Sequence, residues 1–306
     1  MRICSLLPSA TEIVFSLGLG NQLIAVTHEC DFPSETSLLP AITKSSLDHQ
    51  DKTSREINTH ISQAVHNGSS IYELNQSMLE SLNPDIILTQ ELCHVCAVSY
   101  SDVETATRSL PGSQNILSLE PTSLTGILDT ISAVGNITGA VNQSKDLVAN
   151  LAHRIELIAS RVAASSHRPT VLALEWLDPP FIGGHWIPEM VRLAGGLDKL
   201  GTEQQPSVET SWSAINRYNP DVIILMPCGY GIDSTITDFS AMPIHEEWKN
   251  LNAVRSNNVY AVDGSSYFNR PGPRIVDGLA ILAEILHPDI FPRESPLDAW
   301  RRVAPL

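Results

Sequence analysis

The sequence is poor in basic residues, aromatic rings and long apolar runs, and each shortage argues against something. Lys and Arg number 19 against 34 Asp and Glu, for a formal net charge of −15, and no basic cluster stands out. That sign repels a phosphate backbone or an anionic membrane, so nucleic acid is not expected as a partner. No run approaches the ~20 apolar residues needed to cross a bilayer, so no membrane insertion is expected. The N-terminal MRICSLLP has a short apolar run broken by Pro8, without the apolar stretch and cleavage site of a secretory leader, and a cytoplasmic location is expected. Five cysteines, an odd number, do not read as the disulfide framework of a secreted chain. Gly-x-Gly-x-x-Gly, a Walker loop, Gly-x-Ser-x-Gly and His-Glu-x-x-His are all missing, and with them the usual signals of nucleotide binding, serine hydrolysis and zinc proteolysis.

What is present is globular: 42% of residues are hydrophobic and 17% charged, over a length of 306 that has room for two domains. One pattern occurs twice. LESLNPDIILTQ (Leu79–Gln90) and AINRYNPDVIILMP (Ala214–Pro227) each join a short amphipathic helix to an apolar strand through Asn-Pro-Asp. A residue before proline is pushed out of the α region, which ends the helix, and the apolar run suits a strand buried on both faces. A looser echo links Ser9–Thr27 with Ile187–Thr202: helix, glycine-rich cap, return to the sheet.

Read this way, the first half holds strands at Ile3–Leu7, Leu23–Thr27, Ile86–Thr89 and near Asn115–Leu119, with helices at Ser9–Leu17, around Tyr72–Leu82 and after Ser101. The second half holds strands at Thr170–Leu174, Val222–Met226 and Val259–Val262. Its helices lie at Pro188–Ala194, Trp212–Tyr218, before Trp248 and at Pro273–Leu286. Such alternation implies α/β lobes with parallel sheets. The segment between carries no strand signal, and Val148, Leu151, Ile155, Ile158 and Val162 fall on one helical face. The expected organisation is a lobe over 1–120, a connecting segment over 121–168 with a long stiff helix, a lobe over 169–288, and a tail over 289–306.

Ligands of open parallel sheets gather at the carboxyl ends of the strands. Behind the expected strand ends stand His28, Glu29 and Cys30; Glu91, Cys93 and Cys96; Glu175 and Trp176, then His185 and Trp186; Cys228 and Tyr230; and Tyr267, Phe268 and Arg270. If the lobes face each other, these loops share one cleft.

The stretches SLLPSATEI, THECDFP, NPDIILTQ, LCHVCAVS, EWLDPPFIGGHWIPEMVRLAGG, NPDVIIL and RPGPRIVDGLAILAEILHP resemble the cobalamin and iron-siderophore substrate-binding proteins of ABC transporters. The likeness runs over roughly residues 1–288. Within that superfamily the sequence looks closest to the cobalamin-binding branch. The resemblance implies two Rossmann-like lobes, a ligand clasped between them with little hinge motion, and cobalamin or a related corrinoid as that ligand. The cysteine motifs and the N-terminus depart from the transport proteins, so storage, or handover to a corrinoid-using enzyme, is expected over import.

Several residues keep two readings. Trp176, Trp186, Tyr230, Tyr267 and Phe268 offer flat faces to a macrocycle, or pack their own loops. His28 and His185 supply an axial imidazole, or simply hydrogen-bond at the surface. Arg270 contacts ligand amides or carboxylates, or pairs with nearby acids. Cys93-x-x-Cys96 with His28-x-Cys30 gives four ligands for zinc or an iron–sulfur cluster, with Cys228 a further thiol; otherwise these are packed thiols or a redox pair. The alternative function is a metal- or iron–sulfur-dependent protein or enzyme, with Glu29, Glu91 and Glu175 as candidate acids or bases.

Overall fold

In each of two units, an Asn-Pro-Asp copy ends a helix and starts a central strand. The computed structural model describes residues 1–45, 52–66, 71–91, 100–107, 114–242 and 246–303. The first unit comprises Met1–Lys52, Thr59–Pro121 and Thr125–Asn150; the second comprises Thr53–Asn58, Thr122–Leu124 and Leu151–Leu306. Helix Gln76–Leu82 ends at Asn83 with φ +38°, and helix Trp212–Tyr218 ends at Asn219 with φ +48°. Both asparagines lie outside the right-handed α region, as expected before proline, and adopt the left-handed conformation. Asn tolerates that region because its short polar side chain bonds locally: Asn219 Oδ1 accepts the Asn252 N–H at 2.8 Å.

The two aspartates match as well. Asp85 accepts the Arg2 N–H at 2.8 Å, and Asp221 accepts the Thr170 N–H at 2.9 Å. Their own N–H groups return the bond to the Arg2 and Thr170 carbonyls, both at 2.9 Å. Each aspartate thus caps the start of the neighbouring strand and sets its register.

The first sheet has four parallel strands in the order Leu23–Ala25, Ile3–Ser5, Ile86–Thr89, Asn115–Ser118. Cys4, Ala25 and Ile87 share one face and pack with Leu6, Ile42, Leu79, Val103 and Ala106. The second sheet has six strands in the order Trp300–Arg302, Val259–Val262, Val222–Leu225, Val171–Trp176, Phe181–Ile182, Val208–Glu209. Its three central strands are parallel, and the other three join antiparallel. The class is α/β with parallel strands at the centre of each main sheet, as expected, and the second adds antiparallel strands at both edges. Its added strands are two or three residues long, too short to show a period in sequence.

Other expectations shift by identifiable causes. The helix expected around Tyr72–Leu82 is a strand, Tyr72–Leu74, paired antiparallel with Thr43–Ser45, and then the helix. Asn75 divides them, its side chain accepting the Met78 N–H at 3.0 Å. Helix Ser54–His66 was not foreseen. The segment without strand signal folds as two helices, Leu124–Thr138 and Val141–Ala163, parted at Gly139 with φ +76°. On the second, Leu151, Ile158 and Val162 are buried, while Val148 and Ile155 are half-buried. Of the two glycine-capped echoes, only the first returns as a strand; the second returns as a single bridge, Thr170 to Leu197.

Candidate functional site

In the first unit the loop after Leu23–Ala25 gathers His28, Glu29 and Cys30. The His28 ring lies 5.4 Å from the Tyr72 ring, its Nδ1 2.8 Å from the Thr43 hydroxyl and its Nε2 3.3 Å from the Glu29 carboxylate. Strands Thr43–Ser45 and Tyr72–Leu74 therefore fix this imidazole, and both its nitrogens are engaged. Cys30 Sγ sits 3.1 Å from the Thr11 hydroxyl and 3.4 Å from that of Thr27. Cys4 is fully buried beneath, and burial with the nearby Cys30 thiol pushes its pKa up to about 12, so it stays a thiol. Glu91 is exposed, and Cys93 and Cys96 lie outside the described residues.

The expected metal centre finds no support in what is described. Among the described residues no three His, Cys, Asp or Glu side chains come together to hold a metal ion. The two hydroxyls beside Cys30 Sγ are poor partners for a soft metal. Cys228 is exposed in the second unit, its backbone N–H donating to the Glu175 carbonyl at 3.1 Å.

In the second unit the strand Val171–Trp176 delivers Glu175 and Trp176 at its carboxyl end. The Trp176 ring meets the Tyr230 ring edge-on at 5.6 Å, and its indole N–H donates to the Ser54 carbonyl at 3.2 Å. Burial, with the Asp238 charge adding, pushes the Tyr230 phenol up to about 12. Tyr267 is half-buried, its ring 5.7 Å from the Arg274 guanidinium; burial raises its pKa and that cation opposes the rise. Trp186 and Phe268 depart from the platform reading. Phe268 is 0% exposed and Trp186 6%, and the Trp186 N–H donates to the Phe268 carbonyl at 2.8 Å. Both rings are buried within the protein, which fits loop packing. Arg270 is likewise buried and partnered within the protein.

His185 differs from all of these. It is half-buried at φ +51°, stacked on Trp186 at 5.7 Å, and burial lowers its pKa. Among the described residues neither ring nitrogen has a hydrogen-bond partner. A neutral imidazole with a free nitrogen is a ready ligand for a metal centre.

Residues 3–265 match the periplasmic binding protein family. The chain belongs to that family. An uncharacterized ABC transporter substrate-binding lipoprotein of Bacillus subtilis is 24% identical over 297 residues, covering 95% of this chain and 81% of the relative. A vitamin B12-binding protein of Vibrio cholerae is 22% identical over 292 residues, covering 91% of this chain and 86% of the relative. A periplasmic heme binding protein of Pseudomonas aeruginosa aligns with a TM-score of 0.74 at 17% identity, covering 99% of this chain and 98% of that one, a likeness of fold alone.

In this family member, sequence reasoning missed a polar cluster beside Trp176. The Arg55 guanidinium forks onto Asp178 at 2.9 and 2.6 Å. The Ser54 hydroxyl and N–H both donate to Asp238. The cluster fixes the Trp176 indole through Ser54. Its partners stand more than 120 residues apart in the chain, and no local spacing announces such pairs.

Proposed function

We propose that this protein holds a corrinoid, a cobalamin-like ligand, using the half-buried Trp176 ring, the phenols of Tyr230 and Tyr267, and the His185 imidazole. The observation that carries the reading is similarity to a vitamin B12-binding protein across 91% of the chain. The residues suit the chemistry: aromatic faces gain by covering a flat macrocycle, and a neutral imidazole suits an open position on cobalt.

The test is titration with hydroxocobalamin, with hemin as the competing tetrapyrrole. Trp176→Ala is expected to weaken corrinoid binding about tenfold, the scale of one lost aromatic contact with its area. Trp176→Phe keeps a ring but loses the bond to Ser54, and is expected to bind more tightly than Trp176→Ala. Equal affinities for wild type and Trp176→Ala remove Trp176 from the site, and binding of hemin alone makes the ligand a porphyrin.

Within this reading, a cytoplasmic holding role with handover to a corrinoid-using enzyme rests on the thiols. Among the described residues Cys4 and Cys228 are free thiols, a state disfavoured in oxidising compartments. Cell fractionation tests it: recovery outside the inner membrane would favour delivery to an ABC permease instead.

A further inference from the structure

The turn from Gly183 to Trp186 is held from three directions. Glu175 Oε2 accepts the Ser207 hydroxyl at 2.7 Å and the Gly184 N–H at 3.3 Å. The His185 backbone exchanges two bonds with the facing segment, its N–H donating to the Gln205 carbonyl at 2.6 Å and its carbonyl accepting the Gln204 N–H at 2.8 Å. The Trp186 indole ties the far end to Phe268. Space is as restricted as bonding. A Cβ on Gly184 would lie 2.3 Å from the Ser207 nitrogen, and one on Gly183 2.8 Å from the Ile187 side chain.

The outcome of this scaffolding is a histidine at φ +51°, a conformation that costs a residue with a side chain ~1 kcal/mol or more. Such strain persists only where the surroundings over-determine it, and it concentrates at functional sites. What the scaffolding presents is an imidazole with no internal hydrogen bond among the described residues. We propose that Glu175, through Ser207 and Gly184, is the positioning residue that holds the His185 imidazole ready to bind the metal centre of the ligand. This rests on the corrinoid reading for the identity of that metal.

The logic is that of outer partners around any metal-binding histidine: orientation is fixed by groups that never touch the metal, and their loss costs 10- to 100-fold in affinity. Here the outer partner reaches the histidine through the backbone of the preceding glycine. Glu175 is thereby separated from the residue it serves by strand Phe181–Ile182.

The experiment uses the full chain and the variants Glu175→Ala, Glu175→Gln, Ser207→Ala and His185→Ala. In the ligand-free protein, the His185 ring-proton resonances report its stacking on Trp186. Glu175→Ala is expected to move them toward their random-coil positions, Ser207→Ala to move them less, and Glu175→Gln, which keeps shape and one acceptor, to leave them in place. In a hydroxocobalamin titration, Glu175→Ala is expected to weaken binding about tenfold and abolish the imidazole-induced band shift. In the His185→Ala background the same change is expected to have no further effect. Unmoved resonances in Glu175→Ala, or an equal loss of affinity with and without His185, overturn the positioning role. Wild-type protein that does not bind hydroxocobalamin overturns the corrinoid reading and the metal-binding half of the proposal, while the ligand-free resonances still decide the positioning half.

Discussion

Asn219 and His185 both sit in left-handed backbone, for different reasons. At Asn219 the conformation ends a helix, and the side chain gains the Asn252 N–H in return. Asn219→Ala is expected to cost about 1 kcal/mol in a urea melt, because alanine keeps the strain and loses the bond, and Asn219→Gly less than that. A milder melt for alanine than for glycine would contradict this. The place of the helix stop was legible in the sequence from Asn-Pro, but not its geometry, which depends on a backbone N–H 33 residues on.

His287 gives a pH dependence at the same scale. It is 4% exposed, 3.4 Å from the Gly195 carbonyl and 5.9 Å from the His167 ring. Burial lowers its pKa from 6.5; the Gly195 carbonyl opposes this, and the charges of His167 and Arg168 add to the lowering. The folded state thus prefers the neutral ring, and the unfolded chain binds the extra proton. The contribution to stability is fully present above 6.5 and is lost as pH falls from there through the lower folded value. Denaturation midpoints are expected to fall from about pH 7 to about pH 5, and less steeply in His287→Gln. Equal slopes in both proteins would exclude His287 as a cause.

Among the elements, the long apolar strands were legible because burial on both faces leaves an unbroken Ile/Val/Leu run. Val259–Val262 and helix Trp212–Tyr218 fall where the sequence put them. Trp300–Arg302 was not legible: three residues, two of them arginines, form a strand only because tertiary contacts hold them there. The main contact is the buried Glu284 carboxylate, which accepts the N–H groups of Glu294 and Ser295 at 2.9 Å each, the Ser295 hydroxyl at 2.5 Å and the Trp300 indole at 3.1 Å. Arg293 adds its guanidinium over the Trp300 ring at 4.1 Å. Glu284→Ala is expected to destabilise by on the order of 3 kcal/mol, the range for bonds to a charged acceptor. Hydrogen exchange should show Trp300–Arg302 opening before Val222–Leu225. Uniform exchange across both strands would show that Glu284 does not hold the segment.

At the scale of the whole molecule, α/β architecture and family followed from patterns that repeat or extend over many residues. The candidate site was legible only in part. Gly-Gly-His and Glu-Trp were legible as a turn and a strand end, because glycine pairs and strand termini leave local traces. Trp186 and Phe268 are buried, the loop-packing alternative the sequence left open, since an aromatic residue in a loop reads the same whether it faces a ligand or the core. The links from Glu175 to Ser207, 32 residues on, and from Trp176 to Ser54, 122 residues back, leave no sequence trace at all.

The central claim is that the chain binds a corrinoid. Its most direct test is titration of the purified protein with hydroxocobalamin and cobinamide, following tryptophan fluorescence and the corrinoid absorbance bands together. The account predicts saturable one-to-one quenching, with bands shifted in wild type and unshifted in His185→Ala. No saturable change with either corrinoid would contradict it.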